Sequence, residues 1–431
     1  MKIYDLLNKK RLGKELSKEE IEFFIKNVTS KKCKDYEISA MLMAICINGM
    51  SKQETLNLTL AMAKSGEQID LSSVNGICVD KHSSGGVSDT TTLALAPIVA
   101  SCGLKVAKMS GRGLGYTGGT IDKLEAIEGY NCEQSYENFI SGVQNIGISL
   151  ISQTKNIAPA DKILYALRDQ TATVESIPLI ASSIMSKKLA SGANIILLDV
   201  KYGAGAFMKT KADALKLAKT MVEIGKGAGK NVSAVITNMN LPLGNSVGCT
   251  LEVMDAIEVL NGAENNLATL SKFFSAKLLN MATGENMKEC ESKVNQVIQS
   301  GDALTKFATL VKNQGGNEKQ VLENKFTLAS EKVEFKAQES GYICDIDALK
   351  LSEIVADLGG ARTAVGASLV HNVGVRILKH YAKKVEKDET ICELYAENKT
   401  QAQNGLKKLE ECFKISPRKP KKLKLIEKII D

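Results

Sequence analysis

The sequence predicts an α/β protein: a small all-helical domain, a large mixed α/β domain and a C-terminal α+β lobe. Three observations carry this. The first 65 or so residues place apolar side chains at helical spacing behind helix-start signals. From Gly76 onward, short β-rich runs end in loops rich in glycine and hydroxyls, each followed by a helical pattern. Near Phe326 a long helical stretch gives way to short strands alternating with helices.

In chain order, Ser17-Lys18-Glu19-Glu20 reads as a capping box, with Ile21, Phe24, Ile25 and Val28 on one face of the helix behind it. Asp35 is placed to cap a second helix that Gly49 ends. Ser51-Lys52-Gln53-Glu54 is another capping box, and Gly66 is expected to close that helix. Residues 76–80 read as a strand delivering Lys81. Residues 90–101 read as a helix kinked at Pro97, and 105–109 as a strand delivering Ser110. Helices are expected at 137–147 and 161–167, with Arg168 following the latter, and at 178–189. Strands are expected at 194–200 and 232–237, with a helix at 213–226 between them. Residues 256–312 read as helical, and 332–335 and 341–346 as strands. No solenoid-period repeat and no low-complexity linker occur.

Composition narrows the function classes. The chain has 431 residues, enough for two or three domains and a large core. It is 44% hydrophobic without a long apolar run, and its most apolar window contains Pro97, which argues against a membrane span. The N-terminus has no apolar stretch of the secretory type. Ten cysteines are scattered without a C-x-x-C pair, so neither a zinc site nor a disulfide framework is signalled. Reduced thiols fit a cytoplasmic protein. The net charge of +7 is mild, and the basic run 418–424 lacks interleaved aromatics for base stacking. A nucleic-acid partner is not expected.

The chemistry concentrates between Lys81 and Glu125. Lys81, His82, Ser83 and Ser84 run into Gly85 and Gly86. Lys108, Ser110, Gly111, Arg112 and Gly113 lead to Thr117, Gly118, Gly119 and Thr120. Glycine lets a backbone approach a ligand closely, and successive N–H groups in such turns cradle anions. Lysine and hydroxyl side chains add donors. Two such loops at the carboxyl ends of neighbouring strands read as one anion gripped from two sides, with the following helix N-terminus aimed at it. A histidine beside the gripping lysine adds proton chemistry. No Walker A loop is present. The letters of a dinucleotide fingerprint occur at residues 113–118, but not between a strand and a helix as that motif requires.

The combination KHS…KMSGRGLG-x-TGGTIDKLE resembles the signature region of the thymidine and pyrimidine-nucleoside phosphorylases. The likeness continues through YALRDQTATVESIPLIASSIMSKKLA and DVKYGAGAFM, and spans essentially the whole chain. The resemblance implies a helical domain formed by residues 1–65 plus 160–192, which binds the base and forms a homodimer. It implies an α/β phosphate-binding domain of residues 76–155 plus 193–325, and a C-terminal lobe of residues 326–431. Hinges near 66–75, 155–160 and 190–195 would let the two substrate sites close.

The implied reaction is reversible phosphorolysis of uridine, thymidine and deoxyuridine to the free base and a (deoxy)ribose 1-phosphate, with inorganic phosphate as co-substrate and no organic cofactor. Lys81, Ser83, Thr92, Ser110 and Thr120 match the family's phosphate contacts, with Lys81 as the main point charge and Lys108 beside them. Arg168, Ser183 and Lys187 match the base-binding set, and His82 is placed at the base O2. Leu114, Val174, Ile180 and Phe207 match its apolar lining. Lys108 stands where the thymidine-restricted branch usually has methionine, which implies that uridine is accepted. Removing one charged hydrogen bond from such a site costs on the order of 1.5–3 kcal/mol.

The sequence departs from the family in four places. Ser88 replaces the usual glycine, Tyr116 a common histidine, and Ser246 and Asp255 an alanine and a glutamate. The resemblance implies a potassium ion near Ser88, Thr90, Leu243, Ser246 and Asp255, which bears on three of them. The competing readings are a thymidine-restricted enzyme, an anthranilate phosphoribosyltransferase-like enzyme using Asp89, Asp122 and Glu125 for magnesium, and an inert nucleoside-binding relative.

Overall fold

The computed structural model describes residues 1–113, 118–154, 156–362 and 368–431. Helices α1 (Ile3–Arg11), α2 (Lys18–Thr29), α3 (Asp35–Asn48) and α4 (Lys52–Ala63) open the chain. Both capping boxes form: Ser17 and Ser51 accept from the N–H groups of Glu20 and Glu54, whose carboxylates reach back to the serine N–H groups. Two details differ from the sequence expectation. Lys34 is the N-cap residue of α3, so Asp35 sits inside the first turn, where its charge favours the helix dipole. The fourth helix ends at Ala63, three residues before Gly66.

The central sheet is built from β1 (Cys78–Ser83), β2 (Lys105–Ser110), β3 (Ile148–Ser152), β4 (Ile195–Tyr202) and β5 (Asn231–Asn238). Interleaved are α5 (Thr91–Ser101), α6 (Thr120–Leu124), α7 (Tyr136–Ile146), α8 (Pro159–Gln170), α9 (Ile177–Ala190) and α10 (Lys211–Gly227). A two-residue strand β6 (Ser246–Val247) precedes α11 (Cys249–Leu260), α12 (Asn266–Thr283), α13 (Met287–Gln299), α14 (Asp302–Asn313) and α15 (Glu318–Leu322). Helix α8 runs three residues further than the sequence pattern reached, so Arg168 lies in its last turn rather than after it.

Beyond these come β7 (Glu331–Lys336), β8 (Gly341–Ile346), α16 (Ala348–Asp357), β9 (Gly374–Ile377), β10 (Lys384–Val385), β11 (Thr390–Ala396), α17 (Lys399–Leu409), β12 (Phe413–Ser416) and β13 (Ile426–Ile430). The large sheet has the order β13-β5-β4-β1-β2-β3, parallel throughout except for β13. A parallel sheet needs cover on both faces. One apolar cluster joins α5 and α11–α14 to the sheet, and a second joins α7, α9 and α10 to the other face. A third unites α1–α4 with α8 and the start of α9. The fourth fills the C-terminal lobe, whose antiparallel strands form two small sheets, β10-β8-β12 and β6-β9-β11-β7. That lobe is tied to the rest by β6 pairing with β9 and by β13 returning to the central sheet. The basic run 418–424 carries no strand; the edge strand lies just after it.

Candidate active site

A cavity of about 700 Å³ opens at the carboxyl ends of β1 and β2, where ligands sit in such sheets. One wall is the two glycine-rich loops: Ser83, Ser84, Gly85, Gly86, Asp89 and Thr92 from the first, Ser110–Gly113 and Gly118–Thr120 from the second. The opposite wall comes from α8, α9 and the turn between them: Tyr165, Arg168, Val174, Ile180, Ser183 and Lys187. His82, Lys108, Lys188 and Phe207 lie between them, and Arg362 of the C-terminal lobe closes one side. Leu114, Tyr116 and Thr117 lie outside the described residues.

Strand alternation decides what each residue of β1 faces. Asp80 and His82 point toward the helical side, while Lys81 points the other way. Lys81 is therefore not on the cavity wall, contrary to its expected place as the direct point charge. Its ammonium is completely buried, 3.0 Å from Asp199 and 3.8 Å from Asp89, and bonds the Thr91 hydroxyl at 2.5 Å. Lys201 completes the group, 2.9 Å from Asp199 and 3.7 Å from Asp89. Burial alone would raise the Asp89 pKa, but Lys201 and Lys81 hold it well below the ordinary carboxylate range. The two lysines thus neutralise an acid that faces the cavity beside Ser83 and Thr92.

On the other face Asp80 is fully buried and bridged by two lysines, Lys108 at 3.1 Å and Lys188 at 2.7 Å. Burial works against ionisation there, yet the two ammonium groups bring the carboxyl down to about 2. Lys108 also bonds the Lys81 carbonyl, and burial outweighs its Asp80 partner to lower it to about 8. Two of its three N–H donors are committed, which leaves one for a ligand. His82 sits among these cations. Burial, then Lys188 and Lys108, pushes its pKa well below the ordinary value, so the imidazole is neutral at pH 7.

Arg168 is buried and donates to the carbonyls of Thr173, Leu179 and Val174, locking the threonine-rich turn against α9. Tyr165 stacks on its guanidinium, 5.7 Å from the ring centre. Lys187 bonds Asp161 at 2.7 Å and the Ser183 hydroxyl at 3.3 Å, one helical turn away. Both residues have partners within the helical unit rather than across the cavity.

The residues expected around potassium cluster at the far end of the first loop. Ser88 has φ +60°, a left-handed conformation that a glycine carries without strain. Its hydroxyl accepts the Gly244 N–H. Asp255 accepts from Asn245 N–H and the Ser246 hydroxyl. Among the described residues it has no lysine or arginine in salt-bridge contact, and burial followed by Glu258 pushes it up to about 8. A Cβ built on Gly244 would lie 2.7 Å from the Ser88 hydroxyl and 2.9 Å from an Asp255 oxygen, which marks a small oxygen-lined cradle. Leu243 is buried beside it. A buried carboxylate without a counter-ion, next to hydroxyl oxygens, fits a monovalent cation. Thr90 departs from the set: its hydroxyl is engaged by Glu252 at 3.2 Å.

Sequence reasoning missed Asp80, Lys188, Tyr165 and Arg362. Period-two alternation on β1 places Asp80 on the face of His82 and was available as a signal. Lys188 follows Lys187 but turns to β1, and no local pattern marks it. Arg362 reaches the cavity only through lobe docking.

The fold and this cavity define a glycosyl-transfer enzyme: residues 4–66 match the profile of the glycosyl transferase family, helical bundle domain, and residues 75–304 that of its a/b domain. Residues 342–416 match the pyrimidine nucleoside phosphorylase C-terminal domain. A pyrimidine-nucleoside phosphorylase of Staphylococcus haemolyticus is 46% identical over 418 residues, 96% of each chain. That of Bacillus subtilis is 47% identical over 399 residues, 92% of each chain. The chain belongs to the pyrimidine-nucleoside phosphorylase family. The crystal structure of anthranilate phosphoribosyltransferase from Thermus thermophilus shares the fold, with a TM-score of 0.59 at 17% identity, over 72% of this chain and 98% of that one.

Proposed function

We propose that the chain catalyses reversible phosphorolysis of pyrimidine nucleosides, taking uridine, thymidine and deoxyuridine to the free base and a (deoxy)ribose 1-phosphate. The observation that carries this reading is a single cavity with an anion cradle on one wall and the Arg168, Ser183 and Lys187 set on the other. Phosphate binds through Ser83, Thr92, Ser110, Thr120 and loop N–H groups, and Lys108 offers its remaining N–H to a ribose hydroxyl. Lys81 contributes from beneath, by neutralising Asp89. A phosphate oxygen forms the new bond to C1′ as the bond from C1′ to N1 breaks. The electron pair leaves with the base, and its negative charge spreads over N1, O2 and O4. Arg168 and Lys187 favour that anion electrostatically, and holding both reactants in one orientation supplies the rest. A neutral His82 serves as a hydrogen-bond donor to O2 rather than as a standing imidazolium.

Further parts of the reading follow from the same features. A potassium ion held by the Ser88 and Asp255 cradle, with Leu243 and Ser246, would tie the first loop to residues 243–246. A homodimer is supported by large apolar side chains left exposed on the helical unit, Tyr4 on α1 and Tyr36, Met43 and Ile47 on α3. Ten free cysteines, most of them buried, support a cytoplasmic location. No helix among the described residues is long and apolar enough to cross a membrane.

The reading is tested by ultraviolet-monitored cleavage of the three nucleosides with and without phosphate. Cleavage that needs phosphate supports it. Cleavage of thymidine and deoxyuridine alone favours the thymidine-restricted alternative. Absence of cleavage with all three overturns it.

A further inference from the structure

We infer that Arg362, carried by the C-terminal lobe, is a positioning residue of the phosphate site: it holds Asp122, and Asp122 holds both stems of the second glycine-rich loop. This deepens the phosphorylase reading and rests on it for the identity of the anion.

Asp122 lies on α6 and is completely buried. One carboxylate oxygen accepts the N–H of Gly113 at 2.6 Å and that of Gly119 at 2.9 Å. The two stems of the loop are thereby drawn to one atom. They are also in contact: a Cβ on Gly119 would lie 2.2 Å from the Gly113 nitrogen and 2.6 Å from the Arg112 carbonyl carbon, so only glycine fits. Ser110 precedes one stem and Thr120 follows the other. The Asp122 oxygen therefore sets the separation of the two hydroxyls expected to hold phosphate from this side.

The second Asp122 oxygen accepts from Arg362 Nε at 2.9 Å. An Arg362 Nη lies 3.6 Å from Glu125, which also pairs with Arg112. Among the described lining residues, Arg362 is the one drawn from beyond residue 326. Geometry and charge act together here. Arg112 and Arg362 balance Asp122 and Glu125 charge for charge beside the loop. Without Arg362 this group of side chains carries one excess negative charge, and a buried carboxylate loses its arginine partner. Each effect weakens the hold on a dianion and leaves the base wall untouched.

The test compares Arg362→Gln, Arg362→Lys and the unaltered full chain. The measurements are KM for phosphate, KM for uridine, kcat, and calorimetric binding of inorganic phosphate alone. Arg362→Gln is expected to raise phosphate KM about ten- to hundred-fold, the loss typical of one charged hydrogen bond, with uridine KM changed less than about three-fold. Arg362→Lys keeps the charge but not the planar fork, and is expected to recover part of the loss. Equal rises in both KM values, no rise in phosphate KM, or a lysine variant no better than glutamine would overturn the inference. If Arg362→Gln does not fold, Arg362→Lys is read alone: raised phosphate KM at unchanged uridine KM supports the role, and unchanged phosphate KM refutes it. Calorimetry keeps the two readings apart. An unaltered chain that binds phosphate but cleaves no nucleoside contradicts the proposed function, while weaker phosphate binding by Arg362→Gln still supports the inference.

Discussion

The bridge from Lys188 to Asp80 joins the helix that carries Ser183 and Lys187 to the strand that carries His82. Its removal by Lys188→Met has a size that can be worked out. The Lys188 ammonium is 2.7 Å from Asp80, with side chains only 6% and 0% exposed. Breaking a buried pair costs about 3–5 kcal/mol, because the remaining charge is left uncompensated. Here Lys108 still lies 3.1 Å from Asp80, so the loss falls at the lower end, about 3 kcal/mol. Asp80→Asn makes the same comparison from the other side, leaving two buried lysines without a carboxylate. The assay is urea unfolding of the two single variants and the double variant at pH 7.5. A coupling of about 2 kcal/mol or more is expected, the double variant being less destabilised than the two singles together. Additivity within about 0.5 kcal/mol would refute the bridge. Because α9 also carries the base contacts, Lys188→Met should lower kcat/KM for the nucleoside more than for phosphate.

Other perturbations follow from the same geometry. Lys108→Met should lower uridine turnover far more than thymidine turnover; since Lys108 also holds Asp80, some loss on both is expected, and the ratio is the readout, with equal losses removing its role in sugar recognition. His82, His371 and His380 are the only histidines of the chain, and all three have pKa values lowered chiefly by burial, His380 to about 4. The unfolded chain then binds more protons than the folded one below pH 6.5, so their contribution is present above 6.5 and lost as the pH falls toward 4. For His380 alone this is about 3 kcal/mol at about 1.4 kcal/mol per pKa unit, and a melting temperature that His380→Gln leaves equally sensitive between pH 6.5 and 4 would contradict it. Potassium at 100 times its dissociation constant should stabilise the fold by about 2.7 kcal/mol, an effect abolished in Asp255→Asn; a thermal shift equal in the two proteins would count against the cradle.

Much of this is legible in the amino-acid sequence. The capping boxes at Ser17 and Ser51 marked two helix starts, because local side-chain donors and acceptors settle such ends. The strand–loop–helix rhythm from Gly76 marked an α/β domain and the ligand end of its sheet. Ser183 and Lys187, one helical turn apart, meet as that spacing requires. What escaped was non-local. Lys81 is expected at phosphate from its match to the family's contact set, and strand alternation turns its ammonium into a buried cluster with Lys201, Asp199 and Asp89. The return of β13 to the central sheet joins residues nearly 200 positions apart, which no window reveals. Asp80 with Lys188, and Asp122 with Arg362, are likewise pairs between distant segments. Their functional weight appears only once the lobes are docked.

The most direct test of the central claim is product identification. Uridine or thymidine is incubated with the chain and inorganic phosphate, and the mixture is followed by phosphorus NMR and by ultraviolet absorbance. The account predicts ribose or deoxyribose 1-phosphate appearing in a one-to-one ratio with the free base, and no base released when phosphate is withheld. Base release without phosphate, or with a free sugar as product, would contradict it.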